Sequence, residues 1–227
     1  MRRPSRSLLI SGAACAVLAG THLVATAVAP GGAWAAGTQV LLMPSLAAVL
    51  AAGTDLSRPL PRRVLAALSL SWLGDSLPKL TDHEDLAFGL MLGPFLLAQA
   101  AYIRAFAPLR AAGILGLRPV PRAAALVPYA AALTGIVTLC APGAGPMLPA
   151  VLVYGGALAS MAVLATGLGP LGALGGAIFL VSDAMIGLET FAERALPGHE
   201  LWVMATYIGG QTLLVLGVRR AAPPAAA

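Results

Sequence analysis

Apolar residues in this chain come in blocks closed by short polar or helix-breaking clusters. The blocks span 8–29, 35–53, 63–80, 86–107, 122–141, 147–166, 170–192 and 201–218. A bilayer core takes about 20 apolar residues in helical form, so each block has about the length of one crossing. The breakers are Pro30-Gly31-Gly32, Pro59 and Pro61, the charged KLTDHED, Pro119 and Pro121, Pro142-Gly143, Gly167-Leu168-Gly169-Pro170, and Pro197-Gly198. Proline and glycine are the strongest local punctuators of helices. The pattern predicts an all-α polytopic membrane protein, a single transmembrane domain over 1–227 with eight spanning helices. The third block is short, and the boundary of the sixth is soft.

Composition agrees. Of 227 residues, 59% are hydrophobic and only 10% charged, against about 25% charged in a soluble domain. Abundant Ala, Gly and Leu suit closely packed membrane helices. The net charge is +5, but the basic residues fall in short loops between apolar blocks, which argues against a nucleic-acid partner. With the N-terminus inside, one side collects Arg2, Arg3, Arg6, Arg58, Arg62, Arg63, Arg104, Arg110, Arg118, Arg122, Arg219 and Arg220. Of the 14 Lys and Arg, only Lys79 and Arg194 fall outside that set. The positive-inside rule then predicts eight crossings with both termini cytoplasmic. The expected location is a bacterial cytoplasmic (inner) membrane, and the bilayer is the first partner. MRRPSRS resembles the basic start of a secretory signal, but the apolar stretch behind it runs about 22 residues, longer than the usual ~7–15. A retained first helix is expected.

Cys15 and Cys140 lie in different apolar blocks and read as packing residues. His22, His83 and His199 are far apart in sequence, and no residues show metal-ligand spacing. No metal and no cofactor is expected.

The informative residues are the carboxylates that interrupt apolar runs. Asp75 ends Ser71-Trp72-Leu73-Gly74-Asp75 in the third block, and Asp183 ends Phe179-Leu180-Val181-Ser182-Asp183 in the seventh. Ionisable groups inside a membrane are costly and mark functional sites by default. With both blocks running in the same direction, each aspartate lies about 18–20 Å along its helix at 1.5 Å per residue. The fourth block carries Phe95-x-x-x-Gln99 and the eighth Tyr207-x-x-x-Gln211. Together these suggest a 4+4 parallel repeat about an axis along the membrane normal. Ser71 lies one turn before Asp75, on the same face. Gln99, Tyr154, Tyr207 and Gln211 add hydrogen-bonding groups on neighbouring blocks. Either aspartate alone could simply join helices by accepting hydrogen bonds. Two at similar depth suggest a shared pocket. Low dielectric and like charge raise a carboxyl pKa, so one of a close pair stays protonated while the other ionises. Such an acid and base hydrolyse acetals and glycosides through oxocarbenium-like states. A vinyl ether is a related substrate. A transporter's proton relay would use the same parts.

LSLSWLGDSL, FGLMLGPFLLAQAAYIRAF, VLVYGGALASMAVLA, GALGGAIFLVSDAMIGLETF and VMATYIGGQTLLVLG, in this order, resemble the YhhN family, which includes lysoplasmalogenases. The resemblance implies an eight-span fold and hydrolysis of the vinyl ether bond of lysoplasmalogen, a lysophospholipid, to a fatty aldehyde and a glycerophospho head group. It implies acid/base roles for Asp75 and Asp183, with Ser71, Gln99, Tyr102, Tyr154, Ser182, Tyr207 and Gln211 around the substrate. The chain departs from the family's pattern at Met43-Pro44, where Lys-Pro is frequent, and at Gln99, where His is frequent. Gln cannot titrate as His does. The alternatives are a proton-coupled lipid or small-molecule transporter and a non-catalytic lipid-binding member of the family.

Overall fold

The computed structural model describes residues 5–222; Arg2 and Arg3 of the basic N-terminal cluster lie outside them. Among the described residues there are eight α-helices: α1 Arg6–Val28, α2 Ala33–Gly53, α3 Pro59–Ser76, α4 Glu84–Phe106, α5 Pro119–Ala144, α6 Leu148–Ala165, α7 Pro170–Ala192 and α8 His199–Ala221. Short 3-10 turns join some of them, and no strand occurs among these residues. Each helix overlaps one of the apolar blocks. Six helical segments are long and apolar enough to cross a membrane. One of the six, Pro119–Leu168, contains both α5 and α6, and α3 is not among them. Arg62, Arg63 and Asp75 all fall within α3's 18 residues, which lowers its apolar content.

Local chemistry sets the helix ends. The Ser5 side chain accepts from the Leu8 N–H at 3.3 Å and caps α1, an exchange that satisfies one orphan donor of the first turn. Pro59 opens α3 and Pro170 opens α7, at positions where the missing N–H costs nothing. Gly169, just before α7, has φ 81°, a conformation that glycine adopts without steric cost. The α7 C-terminus turns through a left-handed Glu193 (φ 52°), and the Arg194 N–H returns to the Leu188 carbonyl at 3.0 Å. The third predicted span, 63–80, ends as an α-helix at Ser76, followed by a 3-10 turn over Leu77–Leu80. Pro78 explains the change: it has no N–H to return to the preceding turn. Lys79 therefore lies beyond the helix.

The chain forms two compact units. One holds the residues up to Ala105 and those from Val218 onward; the other holds Phe106–Gly217. In the first, α1 packs on α2 and α2 on α3. The Arg63 Nη1 donates to the Arg104 carbonyl at 3.0 Å, tying α3 to α4. In the second, α5, α6 and α7 pack on one another, and α7 meets α8 where Gly175 and Gly210 let the backbones close together.

Apolar side chains cover the outside of the helices as well as the contacts between them. On α1 only His22, Ala25 and Thr26 are buried, while Leu9, Ile10, Val17 and Val24 are exposed. Contiguous exposed apolar surface of this kind marks a membrane contact.

Candidate functional site

In the first unit, Asp75 sits in the last turn of α3 and is only 5% exposed. It neighbours Gly74, whose missing Cβ admits the Phe95 ring of α4: a Cβ there would stand 2.6 Å from Phe95 Cδ2. The α2 residue Gln39 donates from Nε2 to Asp75 Oδ1 at 3.2 Å. Lys79 Nζ donates to Gln39 Oε1 at 2.9 Å and to the Asp75 carbonyl oxygen at 2.8 Å. An ammonium can only donate, so it fixes which end of the Gln39 amide is oxygen and turns the NH₂ toward the carboxylate. Partial desolvation draws the Lys79 ammonium below the ordinary lysine pKa, and the Asp75 carboxylate opposes that shift.

One turn before Asp75, Ser71 is fully buried. On α4, one turn beyond Phe95, Gln99 is also fully buried, and neither Oε1 nor Nε2 has a hydrogen-bond partner. Tyr102, three residues further along, is buried too. His22 of α1 is buried as well. Its Nδ1 stands 2.9 Å from Thr38 Oγ1 of α2 and its Nε2 3.4 Å from Thr26 Oγ1, so it joins two helices.

In the second unit, Asp183 projects from α7 and accepts a hydrogen bond at Oδ2 from the Tyr154 hydroxyl of α6. Its neighbour Ser182 is buried and donates to the Val203 carbonyl of α8 at 3.0 Å, a contact between helices. Tyr207 of α8 is buried and meets Phe179 edge to face, with ring centroids 5.7 Å apart. Gln211, one turn on, is fully buried. At the far end of α7, Glu189 Oε2 pairs with His199 Nε2 at 3.2 Å, although Glu189 is half exposed. The two cysteines are free thiols.

Two residues of this arrangement were not among those picked out from sequence, Gln39 and Lys79. Lys79 carried a signal: it breaks the one-sided charge pattern, and it stands four residues after Asp75, the spacing of helical neighbours. Gln39 carried none beyond being an amide in an apolar block. Among the described residues, no three His, Cys, Asp or Glu side chains group closely enough to hold a metal ion.

Apolar helices of spanning length, apolar side chains turned outward and carboxylates hydrogen-bonded between helices define a helical membrane protein with polar groups buried among its helices. Residues 34–218 match the model of the YhhN family. With most of its length covered, the chain belongs to the YhhN family. No curated protein and no solved structure matches it.

Proposed function

We propose that this protein is a membrane hydrolase that cleaves the vinyl ether bond of lysoplasmalogen-type lysophospholipids. The observation that carries the reading is the frame around Asp75. A YhhN chain buries this carboxylate among apolar helices and holds it by an amide from another helix. A second carboxylate, Asp183, has its own partner in Tyr154. Taking a carboxylate out of water is costly unless it is paired or used, a cost that an acid/base role accounts for.

In the proposed reaction Asp183, protonated, gives its proton to the outer vinyl carbon, and an oxocarbenium ion forms. Asp75, ionised, takes a proton from water as the water oxygen bonds to the cationic carbon. The resulting hemiacetal then collapses. Asp75 returns its proton to the glycerol oxygen as that C–O bond breaks. Asp183 takes the hydroxyl proton as the aldehyde forms. Both carboxyls end as they began, and the balance is one water consumed per aldehyde and free glycerophospho head group. Ser71, Gln99, Tyr102, Tyr154, Tyr207 and Gln211 would position water and substrate. Ser182 would steady α7 against α8. No step passes through a metal or cofactor.

The setting proposed for this chemistry is the bacterial inner membrane, with eight crossings, both termini cytoplasmic and a 4+4 arrangement of helices. The partners are the lysophospholipid and the bilayer, not nucleic acid.

The test is aldehyde release from a lyso-plasmenyl lipid by the purified protein. Release should be abolished in Asp75→Asn and in Asp183→Asn, and EDTA should leave it unchanged. Absence of release from the unmodified protein, alongside proton-coupled lipid uptake into vesicles, would replace the hydrolase with a transporter.

A further inference from the structure

Lys79 is the chain's only lysine, and its ammonium is held in an unusual way. Two of its three N–H groups point at neutral acceptors, the Gln39 amide oxygen at 2.9 Å and the Asp75 carbonyl at 2.8 Å. The Asp75 carboxylate acts on this ammonium through space, but neither of its hydrogen bonds is to a charged acceptor. The side chain is exposed. It is therefore a positioned cation with a donor to spare, fixed one turn beyond a buried carboxylate.

We propose that Lys79, held over Asp75 by Gln39, binds the phosphate of the substrate's glycerophospho head group. The inference rests on the hydrolase reading and adds to it the residue that selects a phosphorylated substrate. Its physical basis is reach and charge. In the substrate the ether oxygen on the first glycerol carbon and the phosphate on the third are joined by one short carbon chain, and the Lys79 ammonium, which donates to the Asp75 carbonyl at 2.8 Å, stands beside the residue that would meet the ether. A substrate with its ether oxygen at Asp75 thus brings its phosphate to Lys79. An ammonium is a compact point charge that meets a phosphate oxygen with a charge-assisted hydrogen bond. Gln39 serves both ends, because the amide that orients Lys79 also holds the Asp75 carboxylate. It is a positioning residue.

The experiment measures binding to the purified protein in a phosphate-free maltoside detergent. Three probes are compared: a saturated alkyl-ether lysophosphoethanolamine, which has no vinyl ether to cleave, the matching alkylglycerol without phosphate, and inorganic phosphate. The unmodified protein should bind the lysophospholipid about tenfold or more tightly than the alkylglycerol, the scale of one charge-assisted hydrogen bond. Lys79→Ala should erase that preference while leaving alkylglycerol affinity unchanged, and Lys79→Arg should retain most of it. Inorganic phosphate in millimolar excess should not displace the lipid. Gln39→Ala should weaken the preference partly and lower the turnover rate as well, a split that lost packing alone does not produce. A preference that survives in Lys79→Ala overturns the inference, as does displacement by inorganic phosphate with the same Lys79 dependence. Unchanged alkylglycerol affinity in the variants reports that they fold. If the preference is lost in Lys79→Ala but the unmodified protein releases no aldehyde from a vinyl ether, phosphate binding stands and the hydrolase reading falls. If aldehyde is released and the preference ignores Lys79, the reverse holds.

Discussion

Gln99 is the residue whose energetics are least balanced. Its amide carries two donors and an acceptor into a fully buried position, and neither polar atom has a partner. An unsatisfied buried polar group costs about 1–3 kcal/mol. A site that binds water or a polar part of the substrate tolerates such a cost, because the ligand repays it. Gln99→Leu should therefore raise unfolding stability in detergent by about 1–3 kcal/mol and slow aldehyde release; a variant that is less stable, or equally active, contradicts this account of Gln99. At this scale the sequence was partly legible. Asp75 and Asp183 stood out because each interrupts an apolar run. Gln99 stood out as an amide in the same setting, but its lack of partners was invisible. Gln39 was missed because its meaning comes from partners 36 and 40 residues away, Asp75 and Lys79. Sequence spacing reports neighbours on one helix and says nothing about contacts between helices.

Glycine sets the approach of α7 to α8. A Cβ on Gly210 would stand 2.9 Å from the Phe179 backbone nitrogen and 3.0 Å from the Gly175 carbonyl oxygen, whereas one on Gly209 would meet nothing within 4 Å. Backbone cannot move aside as a side-chain tip can. Gly210→Ala should destabilise the protein by about 1–3 kcal/mol, the usual range for overpacking. Gly209→Ala, in open space on the same helix, should be neutral or stabilising by up to about 1 kcal/mol. Thermal or denaturant unfolding of the two variants side by side checks the contrast, and equal effects would contradict the close α7–α8 approach. The order and approximate position of the helices were readable from apolar blocks and their breakers. Their ends were read less well, for nameable reasons. α3 stops at Ser76 because of Pro78. α4 begins at Glu84, earlier than its apolar block, with Glu84 and Asp85 in its first turn, where acidic side chains favour the helix dipole. α5 runs through Pro142 to Ala144, since a membrane helix tolerates an internal proline.

On the scale of the molecule, composition made the membrane character plain, and the all-helical fold followed from it. The count of crossings is less direct. Eight helices are present among the described residues, but length and apolarity alone pick out six segments. α3, which lies outside that set, carries Asp75 and both of the basic residues that open it. Three charged residues among 18 take it out of a set chosen by apolarity. The division into two units could not be read from periodicity, and it assigns Asp75 to one unit and Asp183 to the other. The central claim is that this chain opens a vinyl ether by proton transfer to carbon. The most direct measurement is hydrolysis of a lyso-plasmenyl lipid in deuterium oxide, with the aldehyde trapped at once and its label read by mass spectrometry. The account predicts one deuterium on the carbon next to the carbonyl, and no product from Asp75→Asn or Asp183→Asn. Unlabelled aldehyde, or labelled aldehyde from either variant at the unmodified rate, would contradict it.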